Sequence, residues 1–275
     1  MNTLELNRHT AAWRAFGEMF ASKDHERSMN EAGLYAKPRA ILCISAHWAP
    51  LAGSTEVQVS DNPEMIHDYM GFPRELQEFR YPVAGAPNVA LRVADLLRPM
   101  CAPAPIARTT RWGVDHGTWS VLAHVFPDAD VPVAQLSIDL SRPAKWHLEA
   151  GRMLAELRLE GVLIVGSGNI VHNLGRMNMS AGDTPAPEAA RFNEYIVDAL
   201  RNNDEEALCN YVNHPDVRFA VPTPEHFLPL LYVVGARNGQ SAGIITDGYD
   251  YGSISMTSLF YGVNSAKHQP VIAAY

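Results

Sequence analysis

Residues 39–46 read RAILCISA, a nearly apolar run bounded by Pro38 and His47. A short apolar run of this kind predicts a β-strand that is buried on both faces, which is typical of parallel sheets. Two further runs have the same character, VPVAQLSI at 131–138 and GVLIV at 161–165. Together the three runs predict the interior strands of one sheet.

Segments with helical periodicity lie between and after these strands. Apolar side chains recur at helical spacing in residues 87–97 and 144–159. The last third adds predicted helices at 188–200, 205–212 and 224–236 and an antiparallel strand pair at 243–246 and 253–260. This alternation predicts a single α/β domain with a mostly parallel central sheet, helices on both faces and a small antiparallel addition. We expect the domain to span residues 1–262 and a C-terminal tail to occupy 263–275.

Length and composition fit one soluble domain. The chain has 275 residues, of which 47% are hydrophobic and 19% charged, and these values exclude fibrous and disordered proteins. The net charge of −8 and the lack of a basic run argue against nucleic acid and anionic membranes as partners. The sequence also lacks an apolar stretch of the ~20 residues that a membrane-spanning helix needs. The expected partner is therefore a small molecule, bound by a monomer or a homodimer.

The cysteines and the N-terminal residues predict a cytoplasmic location. The chain begins MNTLELNRHT, which lacks the basic and then apolar order of a secretory signal. Cys43, Cys101 and Cys209 are odd in number and too far apart for a CxxC zinc site. We interpret them as reduced core residues.

Histidine is the residue type that points to chemistry, with 11 in the chain. In open α/β sheets, ligands bind beyond the carboxyl ends of the strands. His47 directly follows the first predicted strand, and His172 follows the third after a turn that reads GSGN. His116 lies in the glycine-flanked sequence WGVDHGTW, and His226 follows Thr223, a predicted helix N-cap. A single such histidine is usually a hydrogen-bonded polar residue, but four of them predict a metal site.

Residues 61–86 predict a long loop with one short helix near 73–79, because Pro and Gly are frequent and no period dominates. Loops of this length inside compact domains are usually functional. We interpret the segment as a lid, and His67 within it as a substrate contact.

Seven short motifs occur in one order along the chain: SAHW at 45–48, IHD at 66–68, GFP at 71–73, WGVDHG at 112–117, QLSID at 135–139, GNIVHNL at 168–174 and TPEHFLPL at 223–230. They resemble motifs of one enzyme family, the class III (LigB-type) extradiol ring-cleavage dioxygenases, in the 4,5-DOPA dioxygenase branch. The resemblance covers most of residues 1–262. The family fold is a single α/β domain, as the strand and helix pattern also predicts.

The resemblance implies roles for the histidines. It implies that His47 and His226 bind a divalent metal, and that His172 acts there as acid/base or as a further ligand. It implies that His116 contacts dioxygen or the substrate. His67, Asp115 and Asn173 are the expected substrate-binding residues. Fe(II) is the cofactor expected for activity, because zinc is redox-inert, although Zn(II) binds such imidazole sites tightly and can occupy the purified protein. The implied substrates are a catechol and O₂.

One motif of the family is missing. Its members begin with a strand that ends in a His-Gly-Ser-Pro loop, whose histidine is a metal ligand, and the printed sequence starts about where that loop should end. His9 lies in a helix-like segment and His25 does not follow a strand, so we expect both to be solvated. We favour a start codon assigned to an internal methionine over a shortened chain or a true loss. A true loss predicts weak metal affinity.

Three functions remain open from the sequence alone. The first is a metal-dependent extradiol dioxygenase that opens the ring of a catechol with O₂. The second is a zinc-dependent hydrolase, in which a metal-bound water attacks an ester or amide. The third is a non-catalytic binding protein on the same fold. The resemblance favours the first.

Overall fold

The computed structural model describes residues 4–20, 37–50, 54–69, 71, 73–101, 105–262 and 271–274. The helices are α1 (Arg8–Glu18), α2 (Arg74–Glu78), α3 (Pro87–Cys101), α4 (His116–Val125), α5 (Ala144–Leu154), α6 (Glu156–Leu159), α7 (Pro187–Arg201), α8 (Glu205–Cys209), α9 (Val217–Ala220) and α10 (Leu228–Ala236). The strands are β1 (Ala40–Ser45), β2 (Glu56–Gln58), β3 (Ala107–Thr109), β4 (Val133–Leu136), β5 (Val162–Ser167), β6 (Ala242–Thr246), β7 (Tyr249–Asp250), β8 (Ile254–Ser255), β9 (Ser258–Tyr261) and β10 (Val271–Ala274).

Eight strands form one sheet in the order β3-β2-β4-β1-β5-β10-β9-β6. The predicted strand β1 lies in its interior and pairs in parallel with β4 on one side and β5 on the other. The predicted antiparallel pair is formed by β6 and β9, and β7 and β8 make a separate two-stranded sheet. The predicted α/β class with a mostly parallel sheet is therefore confirmed.

The alternation of side chains along β1 builds a core on each face of the sheet. Leu42 and Ile44 pack into a cluster with residues of α3, α5, α7 and α10. Ile41 and Cys43 point to the other face, where the cluster includes residues of α1 and α4. All four side chains are fully buried, which explains why the run is apolar throughout. Among the described helices, none is both long and apolar enough to cross a membrane.

Three predicted helices differ in detail from the structure. The segment 144–159 divides at Ala155 into α5 and α6, and the segment 205–212 changes after α8 into a 3₁₀ turn, Tyr211–Asn213. The segment 224–236 begins with a 3₁₀ turn, Pro224–His226, before α10. Proline lacks the N–H that a helix interior requires, so Pro229 lies in the first turn of α10. Thr223 does not cap the turn with its side chain and donates to Glu225 instead.

The two ends of the chain contribute more structure than expected. β10 belongs to the expected C-terminal tail, but it lies inside the sheet, parallel to β5 and antiparallel to β9. His9 lies within α1, and its expected exposure is wrong, because the side chain is buried and its Nδ1 contacts Thr246 Oγ1 at 2.8 Å. His25 lies outside the described residues.

Candidate active site

The carboxyl ends of β1 and β5 carry the loops that build the site. Ser45 ends β1 and pairs in register with Ser167, which ends β5. His47 follows two residues after the first strand, and Asn169 two residues after the second. The backbone N–H of Asn169 donates to the carbonyl of His226 at 2.8 Å, which joins the loop after β5 to the turn before α10. These segments, far apart in sequence, therefore meet at one edge of the sheet.

Two glycines allow the close approach of these segments. A Cβ atom on Gly168 would lie 2.2 Å from the carbonyl oxygen of His226. A Cβ atom on Gly117 would lie 2.6 Å from Ser45 Oγ and 2.7 Å from Cδ2 of His47. Any larger residue would push the histidine-bearing segments apart, so glycine is a packing requirement of the site at both positions.

One carboxylate contacts two of the histidines. Asp68 Oδ2 lies 3.0 Å from Nδ1 of His47. The other oxygen of Asp68 lies 2.8 Å from Nδ1 of His116 and accepts the backbone N–H of the same residue at 3.1 Å. The imidazole centroids of His47 and His116 are 3.9 Å apart. His47 and His116 thus form a compact group with Asp68 between them. We call these two histidines, with Asp68, the carboxylate pair.

The other two histidines lie face to face. The rings of His172 and His226 stack with their centroids 3.5 Å apart and their planes at 5°. Nδ1 of His226 contacts the side-chain oxygen of Asn169 at 3.0 Å. The amide nitrogen of Asn169 donates to the carbonyl of Ser255 at 2.8 Å, which fixes the direction of that amide. We call His172 and His226 the stacked pair.

The two pairs adjoin and share one cavity of about 520 Å³. The centroids of His47 and His226 are 5.4 Å apart, and this contact joins the carboxylate pair to the stacked pair. The four histidines line the cavity together with residues that include Trp13, Asp68, Tyr69, Asn169, Leu174, Glu225, Asp250, Tyr251, Ile254 and Met256. A cavity of this size with apolar walls and a few convergent polar groups suits a small aromatic molecule.

Electrostatics differ between the two pairs, and the carboxylate pair is the more charged. Burial alone would lower the pKa of His47, but the hydrogen bond with Asp68 and the negative charges of Asp115 and Asp68 outweigh burial and raise it. Burial would raise the pKa of Asp68, yet hydrogen bonds from His116 and His47 hold it well below its usual range. Asp68 is therefore an ionised carboxylate at every physiological pH.

The stacked pair is neutral. Burial lowers the pKa of His172 to about 4, and the nearby charges of His47 and His116 act in the same direction. Burial, together with the other three imidazoles, holds the pKa of His226 well below its usual range. Both rings are therefore uncharged at neutral pH and keep a lone pair with which they can bind a metal or accept a proton.

A buried carboxylate, Asp115, links the segments that carry His47 and His116. Asp115 is 0% exposed and caps α4 by accepting the backbone N–H of Thr118 at 3.0 Å. It also accepts hydrogen bonds from the Ser45 hydroxyl at 2.7 Å, the Gln135 amide at 2.8 Å and the Trp112 indole at 3.2 Å. These bonds join β1, β4 and the loop that carries His116, and they hold Asp115 outside the cavity lining.

Three residues were expected to bind the substrate, namely His67, Asp115 and Asn173. None of these three side chains is among the residues that line the cavity. His67 Nε2 contacts the carbonyl of Phe79 at 3.2 Å, and the Asn173 amide donates to the carbonyl of Phe219 at 2.7 Å. Both side chains hold neighbouring loops in place.

Sequence reasoning missed Asp68 and Tyr69, which do line the cavity. They follow directly after His67 in the segment predicted as a lid, so the sequence points to this loop but not to these two side chains. The signal was present in the motif IHD, where a carboxylate adjoins a histidine. Trp13, Asp250 and Tyr251 also line the cavity, but they lie near the chain ends and carry no motif that predicts this position.

The donor atoms of the site fit a divalent metal ion. Among the residues that the structure describes, His47, Asp68 and His116 form a group whose ligand atoms all lie within 4.8 Å of one another. His226 adjoins this group through its contact with His47. Imidazole with carboxylate is a donor set that suits Fe(II) as well as Zn(II).

Known proteins match the chain in both sequence and fold. The family described as the catalytic LigB subunit of aromatic ring-opening dioxygenase matches residues 19–263. A protein of Escherichia coli (strain K12) named 4,5-DOPA dioxygenase extradiol is 42% identical over 267 residues, which cover 95% of this chain and 91% of that protein. A Beta vulgaris protein of the same name is 36% identical over 257 residues, covering 91% and 94%. A crystal structure of an uncharacterised protein from Escherichia coli K12 matches with a TM-score of 0.76 and 38% identity, covering 94% of each chain.

The matched region includes all four cavity histidines and the carboxylate between two of them. It also includes β1 to β9, and hence most of the sheet on which the site is built. The chain therefore belongs to the LigB family and is a class III extradiol dioxygenase, an enzyme that opens aromatic rings.

Proposed function

We propose that this enzyme cleaves the ring of a catechol of the 4,5-DOPA class beside its two hydroxyl groups, with a divalent metal ion and O₂. The observation that carries the proposal is the convergence of four imidazoles on a single small cavity, with the carboxylate of Asp68 in contact with two of them. The names of the relatives from Escherichia coli and Beta vulgaris support the substrate class. Both oxygen atoms of O₂ enter the product, which carries a new carboxylate and a new aldehyde.

His47 and His226 are the proposed metal ligands, with His172 beside them. Imidazole nitrogen is a donor that fits Fe(II), and Asp68 contacts Nδ1 of His47, which leaves Nε2 of that ring for the metal. When bound, Fe(II) supplies the redox coupling between the catechol and O₂ that the side chains alone cannot provide.

His172 is the proposed acid/base. Its imidazole is uncharged at neutral pH, because burial lowers its pKa to about 4, so it can accept a proton from a catechol hydroxyl. The structure gives its ring a stacking partner in His226, and neither ring nitrogen of His172 has a described hydrogen-bond partner. Its ring nitrogens can therefore exchange a proton with a bound substrate. We assign proton return at the opened ring to the same imidazole.

The cavity wall sets the orientation of the ring. Tyr69 lies edge-on to His116 with ring centroids 5.1 Å apart, and both line the cavity. Such aromatic edges favour a flat aromatic substrate. His116 is the proposed contact for O₂ or for a substrate hydroxyl, because it lies beside His47 and its Nδ1 is already held by Asp68.

The direct experiment is anaerobic reconstitution of the purified enzyme with Fe(II), followed by addition of L-DOPA and then O₂. We expect a yellow semialdehyde product and consumption of one O₂ for each ring opened. The zinc-loaded enzyme serves as the control, and we expect it to consume no O₂. Hydrolysis of esters or amides by the zinc form, without ring cleavage by the iron form, would overturn the proposal.

A further inference from the structure

We propose that Asp68 is a positioning residue that sets the tautomer of two imidazoles at once, so that His47 and His116 both present Nε2 to the cavity. The inference rests on the proposed function for the roles of these histidines, but its geometry is independent of activity. Asp68 contacts both rings at the same type of nitrogen, Nδ1, at 3.0 and 2.8 Å.

The first step is that Asp68 only accepts hydrogen bonds. Its two oxygens lie within hydrogen-bond distance of three nitrogens, the backbone N–H of His116 and the Nδ1 atoms of His47 and His116, and this setting favours an ionised carboxylate. An ionised carboxylate has no proton to donate. Both Nδ1 atoms must therefore carry hydrogen, and a neutral imidazole with a proton on Nδ1 has its lone pair on Nε2.

The second step is that a neutral acceptor, the side-chain oxygen of Asn169, sets the tautomer of His226 in the same way. The amide nitrogen of Asn169 is committed to the carbonyl of Ser255, so its oxygen faces Nδ1 of His226. His226 therefore also keeps its lone pair on Nε2. A histidine that binds a metal usually donates its other ring N–H to a fixed acceptor, which sets its direction and raises its basicity.

The third step is that the loop carrying Asp68 is held in place by backbone bonds rather than by the histidines. Ile66 donates to the carbonyl of Val114 at 2.8 Å, and Val114 donates to the carbonyl of Glu64 at 2.7 Å. This short parallel contact aligns the loop with the segment that leads into α4. Asp68 then meets the N-terminus of α4, where it accepts the backbone N–H of His116.

These contacts predict which imidazole changes in an Asp68→Asn variant. Asparagine offers one acceptor oxygen and one donor nitrogen. The backbone N–H of His116 can only donate, so the oxygen must remain on that side. The amide nitrogen then faces His47, whose Nδ1 must accept, and the proton of His47 moves to Nε2. His116 keeps its present tautomer.

The experiment is ¹⁵N–¹H correlation of the histidine side chains in the metal-free full-length enzyme at pH 8.5, with assignments from single histidine substitutions. We expect Nδ1–H signals for His47 and His116 in the natural protein and a switch of His47 alone in Asp68→Asn. Because the lone pair that binds the metal is then lost, Zn(II) affinity should fall about 10- to 100-fold in a competition titration. Glu64→Gln, an acid-to-amide change on the same loop, is the matched control and should alter neither readout.

Asp68→Ala is the second variant and removes the acceptor from both rings, so both should lose their fixed tautomer. Retention of Nδ1–H at both histidines in Asp68→Asn and Asp68→Ala would overturn the proposal. Loss of Zn(II) binding without any tautomer change would also overturn it, and would make the Asp68 carboxylate a metal ligand itself. Because these measurements use no substrate, they fail or succeed separately from the ring-cleavage assay.

Discussion

The carboxylate pair and the stacked pair are made of the same side chain, yet they have opposite electrostatics. His47 and His116 share an ionised carboxylate, and the pKa of His47 is raised. His172 and His226 pack against each other instead, and burial lowers the pKa of both. The difference shows that a carboxylate partner can outweigh the effect of burial on the pKa of an imidazole, whereas neighbouring imidazoles add to that effect.

The largest expected effect is the loss of the contact between the two pairs. His226→Gln removes a proposed ligand that adjoins His47, so ring cleavage should become undetectable and Zn(II) affinity should fall more than the ~100-fold seen when only an orienting residue is lost. Activity assays and metal titrations measure this, with His214→Gln, away from the cavity, as control. Cleavage at the natural rate by His226→Gln would remove His226 from the metal site.

The next prediction distinguishes the roles of the two stacked histidines, with His172 as the proposed acid/base and His226 as a proposed metal ligand. His172→Gln should reduce kcat by about 100- to 10,000-fold, the range for loss of a positioned acid/base. Fe(II) content should stay unchanged, because His47 and His226 remain. The comparison requires steady-state kinetics and metal analysis on the same preparation. Full activity in the variant would exclude His172 as the acid/base.

A smaller effect tests the support beneath the carboxylate pair. Asp115→Asn replaces two acceptor oxygens by one, and at least one buried donor among Ser45, Gln135, Trp112 and Thr118 loses its partner. The free energy of unfolding should fall by about 1–3 kcal/mol. Urea denaturation measures it, with the exposed Asp61→Asn as control. An unchanged midpoint would show that the network does not stabilise the fold.

The smallest effect, counted per pH unit, is on the pH dependence of stability. In the folded metal-free enzyme the pKa of His172 is about 4, below the ordinary 6.5, so between these values the unfolded chain binds a proton that the folded chain does not. Stability should therefore decrease as pH falls from 6.5 to 4, by up to about 1.4 kcal/mol per pH unit for each such group. His172→Gln should have a shallower slope. Both proteins should be denatured with urea at several pH values. The same change in the free energy of unfolding with pH in both would contradict the neutral state of His172.

Much of the fold could be predicted because the interior strands are apolar on both faces. The run at 39–46 predicts β1, and the histidine that follows it lies at the expected edge of the sheet. Strands of three residues, such as β2 and β3, are too short to show a period. β10 has only four residues, so its apolar run is too short to predict a strand.

The site was only partly predictable, for a related reason. Residues at strand ends have positions that follow from the sheet, and this applies to His47 and to the loop with His172. Asp68 lies in a loop without periodicity, and its position depends on the backbone contact with Val114, which no local pattern encodes. His67, its neighbour with the more conspicuous side chain, faces Phe79 instead of the cavity.

The most direct test is a crystal structure of the Fe(II)-loaded enzyme with anomalous diffraction recorded on both sides of the iron absorption edge. We expect one strong anomalous peak in the cavity, about 2.1 Å from Nε2 of both His47 and His226, as is typical of metal–imidazole bonds. Fully loaded crystals with no peak between these two imidazoles, or with the iron bound elsewhere on the chain, would contradict a metal centre built where the two histidine pairs meet.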